Sequence, residues 1–399
     1  MDYLINQLFF VTDPKIIQEI TLSKTYDFVK PFSTFGIKLL GNGLLFAEGD
    51  DHKRQRKMMN PAFAYSNIKE MVPTFIRVSS ILKDLIENEI NQGNSNINLT
   101  PYTSKTALDI IGLVGFSYEF NSLTSSNELA TAYNSILNSS PSTLQIAITI
   151  LSEYVPFIGD IPIGTNMKFK NTCAVISRIS KKLVEEKYEE AENGVLKNKD
   201  LLSLLINTNK ILPDEEKMTY EELKSRHDTT NVATCWALYL LAQHPHEQDL
   251  LREELIKAFP DKSNFNPTYD EINSLEYLNC VIKETLRIRT PLPTARRTNL
   301  KDEVIGKYYV PKNTEISIGI SVLQRLTEIW GPTADNFDPK RWLDPSSKNI
   351  TNLNYLPFLI GARGCIGNKV ALAEAKILLA FPIPKPDPYL GLAVSIVES

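Results

Sequence analysis

The chain has 399 residues, of which 43% are hydrophobic and 23% charged, with prolines and glycines spread along its length. This composition is typical of a globular protein, and it excludes collagen-like, mucin-like and disordered chains. The formal net charge of -4 argues against a protein that works by coating nucleic acid, because the total implies no basic face.

The cysteines and the N-terminus exclude two further classes. The four cysteines lie far apart and form no CxxC spacing, so the sequence predicts neither a disulfide framework nor a zinc ribbon. A reducing compartment is therefore expected. The first residues are apolar only up to Asp13 and Pro14, well short of the ~20 residues that a membrane span needs. No anchor is expected within this chain.

The sequence up to residue 120 predicts one helix after another. Asp13 and Pro14 open a short amphipathic helix. A strongly basic helix then follows a glycine turn and ends at Pro61. From Ser66 to about Asn91 the apolar residues recur at helical spacing. The stretch TPYTSKTALDIIGLVGFSYEF predicts a further, mostly buried helix.

The middle of the chain contains a strongly charged stretch. Residues 181–200 are charged on nearly all sides, which predicts a solvated helix end and a linker near 187–200. No domain boundary is evident there, so one domain over residues 1–399 is expected. Long helical patterns resume at 233–245 and at 267–288.

Between Pro293 and Trp342 the pattern changes to short extended runs. KYYVPKN and EISIGISVL alternate with turn residues, which predicts a small sheet. The expected fold class is therefore mostly α, as a single domain with a small β part.

The most informative stretch is FLIGARGCIG, which delivers Cys365 to the start of a helix that is expected to begin near Asn368. The helix dipole and the unpaired N–H groups of that position favour a thiolate, and amide N–H groups after the cysteine could donate to its sulfur. Gly361, Gly364 and Gly367 permit a backbone that approaches a flat ligand closely. The alternative is a buried structural cysteine at a helix start.

This stretch resembles the haem-binding loop of the cytochrome P450 family. It matches that loop at Phe358, Gly361, Arg363, Cys365 and Gly367. Four further stretches, HKRQRK, HDTT, KETLR and FDPKRW, match other family motifs in the right order, so the resemblance spans nearly the whole chain. It implies a P450-type domain in which Cys365 is the axial ligand to the iron of haem b, iron protoporphyrin IX.

The motif KETLR contributes Glu284 and Arg287, and FDPKRW contributes Arg341. Glu284 and Arg287 are three residues apart and share one helix face. The resemblance implies that they join Arg341 in a buried charge network. An isolated Glu-x-x-Arg pair is more often a surface ion pair that contributes little to stability. Here FDPKRW and the cysteine loop follow it in the order found in the family, which favours the buried interpretation.

Haem carries two propionates, so cations are expected at the rim of its pocket. The resemblance assigns this role to Arg363 and Arg297, and to Arg56 and His52 of HKRQRK, which lie one helical turn apart. His52 stands where the family usually has tryptophan. The other basic residues of HKRQRK are expected to form a solvated face or a patch for an acidic redox partner.

HDTT resembles the family's oxygen-activation helix. The resemblance implies that Thr229 holds bound oxygen and that Asp228 relays protons. Ser225 and Arg226 stand where the family has a small residue and a glycine, and the apolar turns before them are missing. A capping Asp-Thr-Thr at a helix start is the alternative. Near the end of the chain, four prolines follow Phe381 and forbid a regular strand, so this end is expected to be shortened.

The resemblance implies a haem-thiolate monooxygenase that hydroxylates a small apolar substrate with O2. Electrons are expected from an NADPH-dependent partner reductase, since no flavin or NADPH segment is recognised. The Cys365 thiolate would favour O–O cleavage. Full-length eukaryotic relatives are usually anchored to the endoplasmic reticulum. Without an anchor, this chain is expected to be N-terminally truncated, and cytoplasmic or peripheral as it stands.

Two other functions remain open at this point. One is a non-catalytic or poorly active haem-binding remnant, favoured by Arg226 and the short C-terminal end. The other is an enzyme that uses peroxide or rearranges a hydroperoxide, which would not need Asp228 and Thr229. The stretch before HDTT is the feature that separates these hypotheses.

Overall fold

The computed structural model describes residues 8–31, 43–94, 97–125, 128–129, 131–132, 164–196, 200–213, 216–218, 230–261, 264–345 and 350–381. Within these residues the fold is mostly α with a small β part, which confirms the expected fold class. The helices are α1 Pro14–Gln18, α2 Gly49–Met59, α3 Tyr65–Asn91, α4 Leu99–Phe116, α5 Gly164–Glu192, α6 Leu201–Ile211, α7 Thr230–Gln243, α8 Pro245–Ala258, α9 Tyr269–Ser274, α10 Glu276–Ile288, α11 Ile320–Leu323, α12 Thr327–Trp330 and α13 Asn368–Ala380.

The described strands form two small sheets. They are β1 Leu8–Val11, β2 Phe28–Val29, β3 Thr294–Asn299, β4 Glu303–Ile305, β5 Tyr308–Val310 and β6 Glu315–Gly319. The larger sheet has the order β1-β6-β3-β2, in which β1 and β6 are parallel and the other pairs are antiparallel. Strands β4 and β5 form an antiparallel pair. The predicted sheet region is thereby confirmed, and the N-terminal strand β1 joins it.

The described residues fall into two compact units. The first comprises residues 8–31, 68–103 and those from 230 onward, and the second comprises residues 43–67 and those between 104 and 218. In the first unit, apolar residues of the larger sheet pack on α1 and on the segment before the cysteine loop, including Ile17, Ile316, Ile318 and Leu356. In the second unit, α4 and α5 share a core built around Leu108, Phe120 and Ile176.

The N-terminal helix begins as predicted. The Asp13 carboxylate accepts the N–H groups of Lys15 and Ile16 at 2.7 and 3.3 Å, and Pro14 occupies the first turn, where its missing N–H costs nothing. The chain then continues as a π-helix over Glu19–Ser23, a conformation that the periodicity did not indicate.

Two predicted runs are each divided in the structure. The single helical pattern at 267–288 forms α9 and α10, separated by the extended residue Leu275. The Glu254 carboxylate of α8 accepts the first N–H groups of α10, from Tyr277 and Leu278, at 2.7 and 2.8 Å. The N–H groups at the start of α10, which have no partner within that helix, are thus hydrogen-bonded by a side chain of the neighbouring helix α8.

The extended run predicted at 315–323 ends earlier than expected. Strand β6 stops at Gly319, and the next four residues form α11. A Cβ atom on Gly319 would lie 2.3 Å from the Phe10 ring. A side chain at this position would therefore need the Phe10 ring to move. The prediction that residues 320–323 are extended was wrong.

The predicted linker near 187–200 is partly helical. Helix α5 continues to Glu192, and Lys187 is buried, with its Nζ 3.2 Å from Glu190 and 3.5 Å from Asp200. Asp200 also caps α6 by accepting the N–H of Ser203 at 2.9 Å. The solvated face of α5 therefore does not extend to Lys187. No helix in the described ranges is both long and apolar enough to cross a membrane.

Helix α13 contains a buried lysine. Lys376 is 6% exposed and donates to the Oδ1 of Asn273 at 2.6 Å. Burial, and secondarily the charge of Lys283, lowers its pKa to about 8. Because the unfolded chain keeps a higher pKa, it binds more protons than the folded chain between pH 8 and 10.5, so this group makes stability rise with pH across that window.

We expect Lys376→Met to remove this pH dependence. At pH 7 the variant should unfold with a free energy greater than that of the parent, by roughly 3 kcal/mol, and the difference should shrink as the pH rises toward 10. Urea unfolding followed by circular dichroism at both pH values measures this. Lys369→Met, at an exposed position of the same helix, is the control, and equal effects of the two substitutions would contradict the assignment.

Candidate functional site

The cysteine loop is a tight turn that leads directly into α13. The Cys365 N–H donates to the Phe358 carbonyl at 2.8 Å, and the Gly364 N–H donates to the Gly361 carbonyl at 3.0 Å. Leu359 and Gly361 have φ angles of 55° and 75°, in the left-handed region. The loop thereby brings its two ends together and leaves Cys365 three residues before the helix.

Gly361 is the position in this loop where a side chain meets an obstacle. A Cβ atom there would lie 2.2 Å from the carbonyl oxygen of Thr21, which belongs to the π-helix Glu19–Ser23. Real Cβ atoms do not approach a backbone oxygen so closely. The loop backbone therefore rests directly on the N-terminal π-helix, a type of helix often found at functional sites.

Cys365 differs from the two cysteines of α7 and α10 in exposure. Its side chain is exposed, although cysteine is among the most often buried residues. Burial raises the pKa of Cys235, and burial also raises the pKa of Cys280 to about 11. Those two thiols stay protonated near neutral pH and are poor metal ligands.

Buried cations of the first unit include two of the predicted propionate partners. Arg363 is 7% exposed, and its guanidinium lies 5.3 Å from the centre of the Tyr26 ring. Arg297 lies on β3, is 5% exposed, and donates to the Arg296 carbonyl at 2.7 Å. An exposed thiol at a helix start and buried guanidiniums are the groups that an iron porphyrin with two carboxylates requires, so these residues fit that cofactor.

The other two predicted cations lie on α2, in the second unit. His52 is 2% exposed, and Arg56, four residues later, is half-buried and donates to the Asn60 side chain at 3.1 Å. The neighbouring Lys53 and Lys57 pair with Asp50 and Glu216, both at 2.8 Å. These last two pairs are exposed, as expected for a solvated basic face.

Glu284 lies at the centre of a buried network that contains the predicted residues. Arg287 donates to it through Nε and Nη2 at 2.9 and 2.7 Å, and both side chains are fully buried. Arg341 Nε lies 3.4 Å from the same carboxylate. The Asp338 N–H and the Trp342 indole complete the set at 3.0 and 2.9 Å. Five N–H groups therefore converge on one carboxylate.

The remaining donors of the two arginines hold the chain between 324 and 343. Arg287 donates to the carbonyls of Gln324, Ala334 and Asn336 at 2.6 to 3.0 Å. Arg341 donates to the carbonyls of Trp330 and Thr333 at 2.9 and 2.7 Å. This stretch consists of short helices and turns, and the two arginine side chains donate hydrogen bonds to its backbone carbonyl groups.

Gln324 is a residue that the sequence analysis did not identify. It is fully buried, and its amide donates to the carbonyls of Leu286 and Arg287 at 3.0 and 3.1 Å. Its Oε1 accepts the Leu356 N–H at 2.8 Å. It therefore joins the end of α10 to the segment that leads into the cysteine loop at Phe358. A single amide carries no spacing pattern that could have marked it.

Two sequence-predicted residues cannot be placed. Asp228 and Thr229 lie outside the described residues, which resume at Thr230 with α7. The segment with four prolines after Phe381 also lies outside them. The predicted roles of these residues stay predictions.

Comparison with known proteins identifies one family. Its model, Cytochrome P450, matches residues 5–383. Cytochrome P450 monooxygenase sphH of Aspergillus fumigatus is 31% identical over 404 residues, which cover 94% of this chain and 74% of the relative. Cytochrome P450 monooxygenase 205 of Postia placenta is 33% identical, covering 94% and 76%. Cytochrome P450 monooxygenase claP of Ampulloclitocybe clavipes is 29% identical, covering 94% and 77%.

We expect Gln324→Met to destabilise the protein, because it leaves buried groups on Leu286, Arg287 and Leu356 without their partner. Each unsatisfied group costs about 1–3 kcal/mol. The unfolding free energy in urea measures the loss, and Gln243→Met, at an exposed residue of α7, is the control. A loss no greater than that of the control would show that Gln324 does not link the two segments.

We expect Gly361→Ala to prevent the cysteine loop from closing. The left-handed φ costs about 1–2 kcal/mol for a residue with a Cβ, and the collision with Thr21 adds about 1–3 kcal/mol. Gly93→Ala is the matched control, because Gly93 also has a left-handed φ but nothing lies within 4 Å of the added Cβ. The ratio of Soret to protein absorbance measures haem loading. Equal loading of the two variants would rule out the collision.

Proposed function

Because this chain belongs to the cytochrome P450 family, we propose that it hydroxylates a small apolar substrate at a haem b held by the thiolate of Cys365. Family membership makes it a haem-dependent monooxygenase that uses O2 and a redox partner. The proposal adds the substrate class, the b-type haem, the NADPH-dependent reductase as partner, and one haem domain over residues 1–399.

One observation supports Cys365 as the ligand more than any other. Its exposed thiol is presented by a glycine turn at the start of α13, where the helix dipole favours a negative sulfur. When bound, haem supplies the oxidising chemistry that places one oxygen atom of O2 into a C–H bond. The loop residues Phe358, Gly361 and Gly367 hold the backbone around that sulfur.

The cations are proposed to orient the cofactor through its carboxylates. Arg363 and Arg297 are buried, and a buried guanidinium is stabilised when it meets a carboxylate. We assign the same role to His52 and Arg56 of α2. These residues bind the haem carboxylates and position the cofactor, and they take no part in bond breaking.

Glu284, Arg287 and Arg341 are proposed to be structural. Every polar atom of the Glu284 carboxylate is engaged by N–H donors, which leaves no position for a proton that could be passed to a substrate. Proton relay is instead proposed for Asp228, and Thr229 is proposed to hold the oxygen.

A poorly active haem-binding remnant is the second candidate. Arg226 is the observation that favours it, because a long cation stands where the family has a glycine. The ratio of product formed to electrons consumed, with a general reductase and an apolar substrate, separates the two candidates.

A peroxide-using enzyme, the third candidate, would form product with peroxide and without reductase. From its family membership we also propose that the protein associates with the endoplasmic reticulum membrane.

We expect Cys365→Ala to abolish the red-shifted Soret band of the reduced carbon monoxide complex, since that band requires a thiolate ligand. Cys173→Ala, at a half-buried position of α5, should leave the band unchanged. Optical spectra of both purified variants measure this. A normal band in the Cys365 variant would contradict the ligand assignment.

A further inference from the structure

A cleft of about 520 Å³ lies in the first unit beside the end of α10. Its lining includes Arg289, Arg325 and Asp335, and apolar surface from Trp236 of α7 and from Leu326. The volume falls within the range of small-molecule sites. None of the residues assigned to haem binding or to the Glu284 network lines it.

Among the described residues, Arg289 has no anionic partner. It directly follows α10, and its guanidinium lies 4.8 Å from the centre of the Trp236 ring. Its Nε is buried and has no hydrogen-bond partner in the part of the chain that the structure describes. A buried N–H without a partner costs free energy, so an acceptor supplied from outside would stabilise this position.

Arg325 faces the same cleft and is only partly neutralised. Its Nη2 donates to the Ile288 carbonyl at 2.5 Å, and its Nη1 lies 3.8 Å from Asp335, a carboxylate that is 77% exposed. Its Nε is also buried, with no acceptor among the described residues. Burial, and next the charge of Arg289, lowers the pKa of Arg325, which indicates that the two guanidiniums repel each other.

The charges and walls of the cleft define the ligand that would fit. Two guanidiniums and one exposed carboxylate leave a single net positive charge, which a monoanion balances and a dianion exceeds. Trp236 and Leu326 offer apolar surface beside that charge. We propose that the cleft binds a monocarboxylate with an apolar body, whose carboxylate lies between Arg289 and Arg325.

The test uses the purified, haem-loaded protein with octanoate, octanamide and inorganic phosphate as probes. Binding is followed by tryptophan fluorescence, because Trp236 lines the cleft, while any binding at the haem is recorded separately from the Soret band. A charge-assisted hydrogen bond corresponds to about a ten-fold change in affinity or more. We expect octanoate to bind at least ten-fold more tightly than octanamide.

Arg289→Gln should remove this preference, by weakening octanoate about ten-fold while leaving octanamide unchanged. This variant should fold, because Arg289 has no hydrogen bond or ion pair to lose within the described residues. Arg296→Gln is the matched control, since Arg296 is 59% exposed on β3 and pairs with Glu315; it should keep the preference for octanoate.

Three outcomes would overturn the proposal. The first is equal affinity for octanoate in the parent and in Arg289→Gln, and the second is equal affinity of the parent for octanoate and octanamide. The third is phosphate binding as tight as that of octanoate and lost in Arg289→Gln, which would identify a simple oxyanion site without an apolar component. Because the readout does not use the haem, failure here is distinguishable from failure of the proposed monooxygenase function.

Discussion

The packing of the described part of the first unit depends on the hydrogen bonds that one buried carboxylate, that of Glu284, accepts. Glu284 and Arg287 are both fully buried, and removing such charges from water costs several kcal/mol for each ion. The cost is offset only because Glu284 accepts five N–H donors and Arg287 donates to it twice and to three carbonyls. The short helices and turns between 324 and 343 pack around these two residues, and Gln324 extends the same connection to the segment before the cysteine loop.

The end of α10 shows how differently two nearby arginines can be used. Arg287 points into the core and has a partner for each of its nitrogens. Two residues later, Arg289 leaves the helix with a φ of -129°, which turns its side chain toward Trp236 instead. The first arginine organises the protein, whereas the second is left with an aromatic ring as its neighbour. The same guanidinium group therefore stabilises the fold at Arg287, whereas at Arg289 we propose that it binds a ligand.

The sequence was most informative where function depends on local spacing. The glycine-framed cysteine and the Glu-x-x-Arg pair are short patterns, and the helices with strong periodicity, such as α3, were located within a residue or two of their ends. The missed features depend on residues far apart in the chain. The close packing at Gly319 involves Phe10, the burial of Lys187 involves Asp200, and the role of Gln324 involves Leu356. No local pattern encodes such contacts, because either partner alone is ordinary.

The contact between Gly361 and Thr21 also bears on the order in which the protein is assembled. The two residues are separated by some 340 positions, so the π-helix Glu19–Ser23 cannot complete its contacts until residue 361 has left the ribosome. Strand β1 likewise cannot pair until its partner β6 has been synthesised. Both contacts close long loops, and the entropy of closing a loop grows only slowly with its length. Once β1 has paired with β6, the contact between Thr21 and Gly361 therefore costs little additional entropy. Packing of the cysteine loop against the π-helix is therefore a late event in biogenesis, governed by when residues 21 and 361 meet.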